Sequence, residues 1–212
     1  TWRLRKYAGV GDDGQSLWYV HDDNGNLTTT NNPTEITKDI DFYDCGTALP
    51  DFYGGFNTSL SAFGFDLSVS FAYSFGGKVM DYGHMQLMTV PTAGLTGMAL
   101  HQDLLNAWSE TNQESNIPRL QYGDNYSAYT SDRFLNDGSW LSLQNISLGY
   151  SFPKKWLQGL GITGLRLSVS GENLTYWSKR KGLDPRINSY GGASNTKYAP
   201  ARTIMGGLSV QF

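Results

Sequence analysis

The last residues of the chain, Leu208-Ser209-Val210-Gln211-Phe212, alternate apolar and polar side chains and stop on an aromatic. No other stretch narrows the choice of fold as much. Because side chains in a β-strand repeat every two residues, Leu208, Val210 and Phe212 share one face with Ile204 and Gly206. Thr203, Met205, Gly207, Ser209 and Gln211 take the other face. One face suits lipid and the other a wet lumen, as in the closing strand of an outer-membrane barrel, where such a terminal strand also serves as an assembly signal. The final strand of a soluble β-sandwich alternates in the same way, so both folds stay open at this point.

The same period recurs inside the chain. Leu67, Val69, Phe71, Tyr73 and Phe75 oppose Asp66, Ser68, Ser70, Ala72 and Ser74, which predicts a strand over 65–75. Just before it, Phe56, Thr58, Leu60 and Ala62 oppose Asn57, Ser59 and Ser61, with only Phe63-Gly64 between the two runs. That spacing predicts a tight hairpin. A second pair follows, with Ile146, Leu148, Tyr150 and Phe152 opposing Asn145, Ser147, Gly149 and Ser151. In its partner, Leu165, Leu167 and Val169 oppose Arg166, Ser168, Ser170 and Glu172. The connection Pro153 to Gly161 reads as a one-turn helix closed by glycine, with Lys154, Lys155 and Trp156 suited to a membrane interface.

Two features separate a barrel from a sandwich. Tyr73 and Phe75 close one strand while Tyr150 and Phe152 close another, as girdle residues at two interfaces would. Connections also alternate in length: Phe63-Gly64 and 153–164 are short, whereas 9–50, 77–138 and 177–200 are long and rich in Gly, Asn, Asp and Tyr. Transmembrane barrels pair short periplasmic turns with long extracellular loops, and compact soluble domains rarely carry several loops of that length. Within the middle loop, Met98, Leu100, Leu104, Leu105 and Trp108 suggest a short helix packed inside the loop.

The expected fold is therefore all-β, an antiparallel transmembrane barrel with strands over 2–7, 54–62, 65–75, 140–152, 164–176 and 202–212. About six strands cannot close such a barrel, for which the smallest known number is about eight. An open edge in lipid would leave backbone groups unsatisfied. The 212 residues are thus expected to be the C-terminal part of a larger barrel, and the opening Thr1-Trp2-Arg3-Leu4-Arg5, with neither Met nor an apolar core, fits a processed or partial chain.

Composition excludes several other classes. No window approaches the roughly 18 apolar residues of a membrane helix, and the mean hydropathy of −0.39 does not exclude strands in lipid. A net charge of −3 argues against nucleic acid as a partner. Cys45, the single cysteine, cannot form an internal disulfide and is a poor nucleophile candidate. His21, His84 and His101 lie far apart in sequence without ligand spacing, so no metal, cofactor or catalytic residue is expected. Asp22-Asp23-Asn24-Gly25-Asn26 opens like a calcium loop, but Pro33 stands where the closing carboxylate belongs, and an Asx-rich turn is the better reading. Sequons at Asn26, Asn57, Asn125, Asn145 and Asn173 fall partly within strands and read as coincidence.

One stretch is specific enough to name a family. Residues Ser131 to Pro153, SDRFLNDGSWLSLQNISLGYSFP, closely resemble the late-barrel signature of SusC/RagA-type TonB-dependent transporters. The resemblance continues through Gly171-Glu172-Asn173-Leu174 and Lys181-Gly182-Leu183-Asp184-Pro185 to Phe212. Upstream it takes in Tyr7-Ala8-Gly9-Val10, Leu17-Trp18-Tyr19, Pro50 to Phe56 and Phe75-Gly76-Gly77-Lys78-Val79. It implies a 22-stranded barrel plugged by an N-terminal domain that lies outside these residues. It also implies a SusD-like surface lipoprotein as lid, the TonB complex acting through the plug, and an outer-membrane location with the C-terminus periplasmic. Cargo would be an oligosaccharide or a peptide, and the remaining barrel strands and outer-membrane lipid would be the other partners. The alternative is a soluble or surface-attached carbohydrate-binding sandwich or adhesin.

Within that reading, Asp66, Asn145, Arg166 and Glu172 are candidate lumen-facing polar residues, and Leu208, Val210 and Phe212 candidate lipid-facing ones. The loop aromatics Trp18, Tyr19, Trp108, Tyr122, Tyr126, Tyr129 and Tyr190 are candidates to stack on sugar rings or peptide side chains, since each joins an apolar body to a polar tip.

Overall fold

The structure is a computed structural model that describes residues 1–90, 97, 99–159, 161–187, 192–193 and 199–212. In chain order its strands are β1 (Arg3–Arg5), β2 (Tyr7–Val10), β3 (Ser16–His21), β4 (Leu27–Thr30), β5 (Phe42–Asp44), β6 (Phe52–Ala62) and β7 (Phe65–Phe75). Then follow β8 (Lys78–Asp81), β9 (Leu135–Asp137), β10 (Trp140–Ser151), β11 (Gly164–Ser178), β12 (Gly192–Ala193) and β13 (Thr203–Gln211). Two short helices, α1 (Tyr82–Leu87) and α2 (Lys154–Leu157), accompany them. The chain divides into two compact units, one of Pro50–Gly77, Asp137–Ile187 and Lys197–Phe212, the other of Thr1–Leu49, Lys78–Asn136 and Asn188–Thr196.

The first unit is a five-stranded antiparallel sheet in the order β13-β11-β10-β7-β6. An 11-residue strand rising about 3.4 Å per residue and tilted by about 45° crosses roughly 25 Å, the height of the apolar band of an outer-membrane barrel. The β6–β7 turn places Phe63 at φ 53 and Gly64 at φ 88. Two consecutive positive φ values match the type I′ geometry that follows the right-handed twist of the flanking strands.

Register puts the apolar residues of all five strands on one face. Leu60, Leu67, Leu148 and Val169 form one cross-strand row, and Ala62, Phe65, Tyr150, Leu167 and Leu208 the next. Leu60 is 67% exposed, Val169 59% and Leu208 65%. No second sheet covers this face among the described residues, so it is not the inner face of a sandwich. Aromatic rings collect at the two ends of the sheet. Phe52, Tyr73 and Phe75 lie with centroids 5.2–6.3 Å apart at one end. At the other, Phe65–Tyr150, Tyr150–Phe152 and Phe152–Trp156 stand at 4.4, 4.9 and 6.2 Å. An apolar band between two aromatic belts is the outer surface of a membrane barrel.

The opposite face is polar, with Ser59, Ser68, Ser147 and Ser170 in one row and Asn57, Ser70, Asn145 and Glu172 in another. Both rows lie just beyond a register shift in β10. Against β7, Gln144 is an extra residue in β10 between Leu143 and Asn145; against β11 the extra residue falls on β11, where Leu174 and Asn173 stand opposite Gln144. The shift keeps Leu141 and Leu143 on the face of Ile146 and Leu148 although their positions differ in parity. On β11 the same level holds Asn173 at φ 50.

Among the described residues there are five long strands where six were expected. The stretch 2–7 does not join the large sheet: β1 pairs with β5, and β2 with β3. Its alternation is too short to span a bilayer, and it serves small sheets in the second unit instead. That unit holds the pairs β1-β5 and the three-stranded β2-β3-β4 around a core that includes Leu4, Met80, Met88 and Phe134. The helix expected over 98–108 is reduced to a 3-10 turn at Gln102–Asn106, with Met98 outside the described residues. The helix between β10 and β11 forms as α2, burying Leu157 while Trp156 stays exposed. No described helix is long and apolar enough to cross a membrane.

Candidate functional site

The polar face of the sheet carries a built ion pair. Arg166 on β11 and Asp66 on β7 are separated by the central strand β10, yet the guanidinium binds the carboxylate with two nitrogens, Nη2 to Oδ2 at 2.6 Å and Nη1 to Oδ1. Gly149 makes the reach possible. It sits opposite both Asp66 and Ser168 in register, and a Cβ there would lie 2.7 Å from Asp66 Oδ2 and collide with the guanidinium. Asn145 and Glu172 are direct cross-strand partners on the same face. The four residues read from sequence as lumen-facing therefore share one surface. Leu208 and Val210 sit opposite Leu167 and Leu165 on the other, and Phe212 follows, 90% exposed.

A second ion pair, unforeseen from sequence, anchors the end of β11. Arg186 donates from Nε to Asp184 Oδ1 at 2.9 Å, from Nη2 to Oδ2 at 2.7 Å and from Nη1 to Ser142 Oγ at 2.8 Å. Its guanidinium lies 4.5 Å from the Tyr176 ring centroid. The pair is closed off from solvent, at 9% and 5% side-chain exposure, and Leu183 and Pro185 are buried beside it. The Lys181-to-Pro185 motif thus acts as a structural latch on the strand end.

In the second unit the candidate aromatics divide. Trp18 is 1% exposed, edge-on to Tyr7 and Tyr129 at 6.3 and 6.4 Å. Its ring is core and is not offered to cargo, because in β3 it shares the inward parity of Ser16. Tyr129 is committed too, lying under Arg5 at 5.2 Å and against Tyr126 at 6.0 Å. Tyr19 carries Lys6 over its ring at 5.9 Å. Trp108 closes over Gly14, whose φ of +81 and lack of a Cβ leave room for the indole. Tyr190 lies outside the described residues.

Tyr122 and Tyr126 do come together. With Gln15, Arg119, Gln121, Gly123, Asp124 and Asn125 they line an open cleft of about 270 Å³. Tyr122 is 63% exposed, and Arg119 is fixed by donating to the Asp13 carbonyl at 2.7 Å. The cleft offers an aromatic face, amides and both charges within a few residues. Sequence reading had named only its two tyrosines. A second cleft, of about 350 Å³, gathers Lys6, Lys78, Asp44, Asp132, Tyr43, Cys45 and Leu135. Burial pushes the Asp132 carboxyl above its ordinary value, although Tyr7 N–H donates to it at 2.8 Å. Burial likewise raises the Cys45 thiol, which keeps it protonated and poorly nucleophilic.

The Asp22 segment is a turn. Asp22 Oδ1 accepts from the amides of Asn24 and Asn26, both at 2.8 Å, and the Asn26 contacts lower its carboxyl. His21 donates its backbone N–H to the fully buried Asp41 at 2.9 Å, with its ring Nδ1 at 2.7 Å from the same oxygen. The expectation of scattered histidines needs correcting for the other two. The fold brings His84 and His101 together, ring centroids 4.6 Å apart, with the Asp103 carboxylate beside both. Distance along the chain hid a juxtaposition that appears only in the folded structure.

No protein-family model matches the chain. Among curated proteins, TonB-dependent receptor P3 of Formosa agariphila is 30% identical over 215 residues, covering 97% of this chain and 20% of the receptor. TonB-dependent receptor SusC of Bacteroides thetaiotaomicron is 32% identical over 199 residues, covering 91% of this chain and 18% of that receptor. The solved structure of the RagAB peptide importer in the "closed-closed" state matches 99% of this chain and 22% of its own, with a TM-score of 0.79 and 28% identity. The chain spans about a fifth of the length of these relatives.

Proposed function

Because the chain belongs to the SusC/RagA-type TonB-dependent outer-membrane transporters, as C-terminal strands of a larger barrel, we propose that the complete protein is a nutrient importer. It takes up oligosaccharides or peptides by binding and gated translocation, without bond chemistry. The observation that carries this reading is the exposed apolar band of five strands, bounded by two aromatic belts and backed by a polar face with its own ion pair. Such a sheet is stable only with hydrocarbon on one side and water or a polar plug on the other.

In this reading the Asp66–Arg166 face lines the lumen, Leu208, Val210 and Phe212 meet lipid, and the C-terminus and the short turns are periplasmic. The long connections 9–50, 77–138 and 177–200 are extracellular. A SusD-like lipoprotein lids the mouth, and the TonB complex acts through a plug domain outside this chain. The Tyr122–Tyr126 cleft is the cargo-contacting element, and Trp18 and Tyr129 support it from within.

The test is uptake by cells carrying the full-length gene, its deletion, or a Tyr122→Ala/Tyr126→Ala variant, supplied with labelled oligosaccharides and labelled peptides in parallel. Deletion is expected to abolish uptake of one class, and the double variant to reduce it several-fold at unchanged surface abundance. Uptake of both classes at wild-type rates in the deletion strain would refute import. Wild-type uptake in the double variant would remove the cleft alone.

A further inference from the structure

A cluster of three side chains with metal-ligand chemistry lies at the base of the segment that follows β8. Asp81 caps α1 by accepting the His84 amide at 2.9 Å, and the Phe134 ring stands edge-on to the His84 imidazole at 5.7 Å. His101 caps the 3-10 turn Gln102–Asn106, its Nδ1 accepting the Asp103 amide hydrogen at 3.2 Å. The His101 imidazole is therefore oriented by a backbone amide and the His84 imidazole by its packing on Phe134 before any ligand arrives. Asp103 Oδ2 lies 3.1 Å from His84 Nε2 and 3.2 Å from His101 Nδ1, and the donor atoms of the three residues all fall within 4.8 Å of one another.

We propose that His84, His101 and Asp103 form a binding site for a divalent transition metal, with zinc as the reference ion. Three observations carry it. First, zinc held at about 2.0–2.1 Å by nitrogen and oxygen in a tetrahedron sets its ligands roughly 3.3 Å apart, and the two measured separations from Asp103 are close to that edge. Second, His101 Nδ1 stands 3.2 Å from both the Asp103 amide nitrogen and the Asp103 carboxylate oxygen, and in the tautomer that accepts the amide hydrogen it carries no proton. Its lone pair and the Asp103 oxygen then confront each other at 3.2 Å with no hydrogen between them. A cation seated between the two turns that repulsion into coordination and takes over the lone pair from the capping bond. Third, side-chain exposures of 15%, 27% and 39% for His84, His101 and Asp103 leave the cluster open on one side. Metal and a fourth, water ligand can reach it.

Two neutral imidazoles and one carboxylate suit zinc, copper or nickel better than calcium or magnesium, which prefer all-oxygen shells. The opposing account is metal-free, with an imidazolium pairing with Asp103. The bound ion would tie α1 to the 3-10 turn and so fix the two ends of the intervening segment, whatever the transporter carries.

The experiment uses the full-length transporter purified in detergent with its affinity tag removed. The protein is stripped with chelator, loaded with zinc sulfate and desalted, and its zinc is counted by mass spectrometry. His84→Gln/His101→Gln is treated identically, and correct folding is checked by heat-modifiable migration on gels. Wild type is expected to retain one more zinc than the variant, and Asp103→Asn to bind at least tenfold more weakly. Cobalt loaded into wild type should give the visible absorption of a tetrahedral nitrogen–oxygen site, a readout that needs no variant. Equal zinc in wild type and a folded variant overturns the proposal. So does a wild type that shows only the spectrum of octahedral, aqueous cobalt, in which case the cluster is the imidazolium pair.

Discussion

Replacing Arg186 by alanine should loosen the end of β11 far more than a surface substitution would, and the structure sets the size of the effect. The change removes two hydrogen bonds to Asp184 and one to Ser142, together with the stacking on Tyr176. It also leaves the Asp184 carboxylate, 5% exposed, charged and without its partner. Stripping one member from a buried pair costs about 3–5 kcal/mol, most of it the penalty on the stranded charge. Because about 1.4 kcal/mol is a factor of ten, the local opening equilibrium should rise by at least about a hundredfold. Amide hydrogen exchange of peptides covering 176–187, in the full transporter in detergent, reads that opening directly. Asp184→Ala should behave similarly, losing in addition its acceptance of the Arg186 amide at 3.1 Å. The double variant should cost less than the sum of the two singles, because neither charge is then stranded. Arg186→Lys keeps the charge but not the planar fork and should recover only part of the protection. Additive singles, or exchange unchanged in Arg186→Ala, would show that the latch contributes geometry and no energy.

Gly149→Val should displace the Asp66–Arg166 pair and lower the temperature at which the folded barrel loses its gel mobility. Gly206→Ala, where a Cβ meets nothing within 4 Å, should leave that temperature unchanged. Trp18→Ala removes a buried indole from the second unit and should cost about 3–5 kcal/mol. Trp18→Phe should cost much less, because the indole Nε1 is buried without a partner among the described residues and losing an orphan donor is favourable; the exchange rates of 3–21 in the two variants decide. Asp132, whose carboxyl is raised by burial, binds a proton more readily folded than unfolded. Stability should therefore fall as pH rises from about 4, the ordinary aspartate range, through the raised value. Asp132→Asn, which keeps an acceptor for Tyr7 N–H, should flatten that slope in a denaturation series. Asp22 has the opposite sign: its lowered carboxyl contributes stability above the ordinary range that is lost as pH falls through the lowered value.

The strands were legible because one face of each is paid for by hydrocarbon and the other by water, so Leu67 to Phe75 or Leu165 to Val169 declare themselves through period two alone. What alternation cannot report is what stands beside a residue on the next strand. Asp66 and Arg166 were named singly as polar, but their pairing depends on Gly149 lying between them, and that follows from turn lengths and from the bulge at Gln144. The bulge itself had a signature, since Leu141 and Leu143 are odd-numbered while Ile146, Leu148 and Tyr150 are even. An apolar face changing parity within one strand requires an inserted residue. The second unit offered no such period. Trp18, Tyr122 and Tyr129 look alike as loop aromatics, and only tertiary packing makes the first a core residue and leaves the second exposed. Local pattern therefore found the surface that touches lipid, whose chemistry is uniform along a strand. It missed the latch at Arg186, whose ion pair to Asp184 is local but whose burial depends on Ser142 and Tyr176, and the cluster at His84, whose members meet only through the fold.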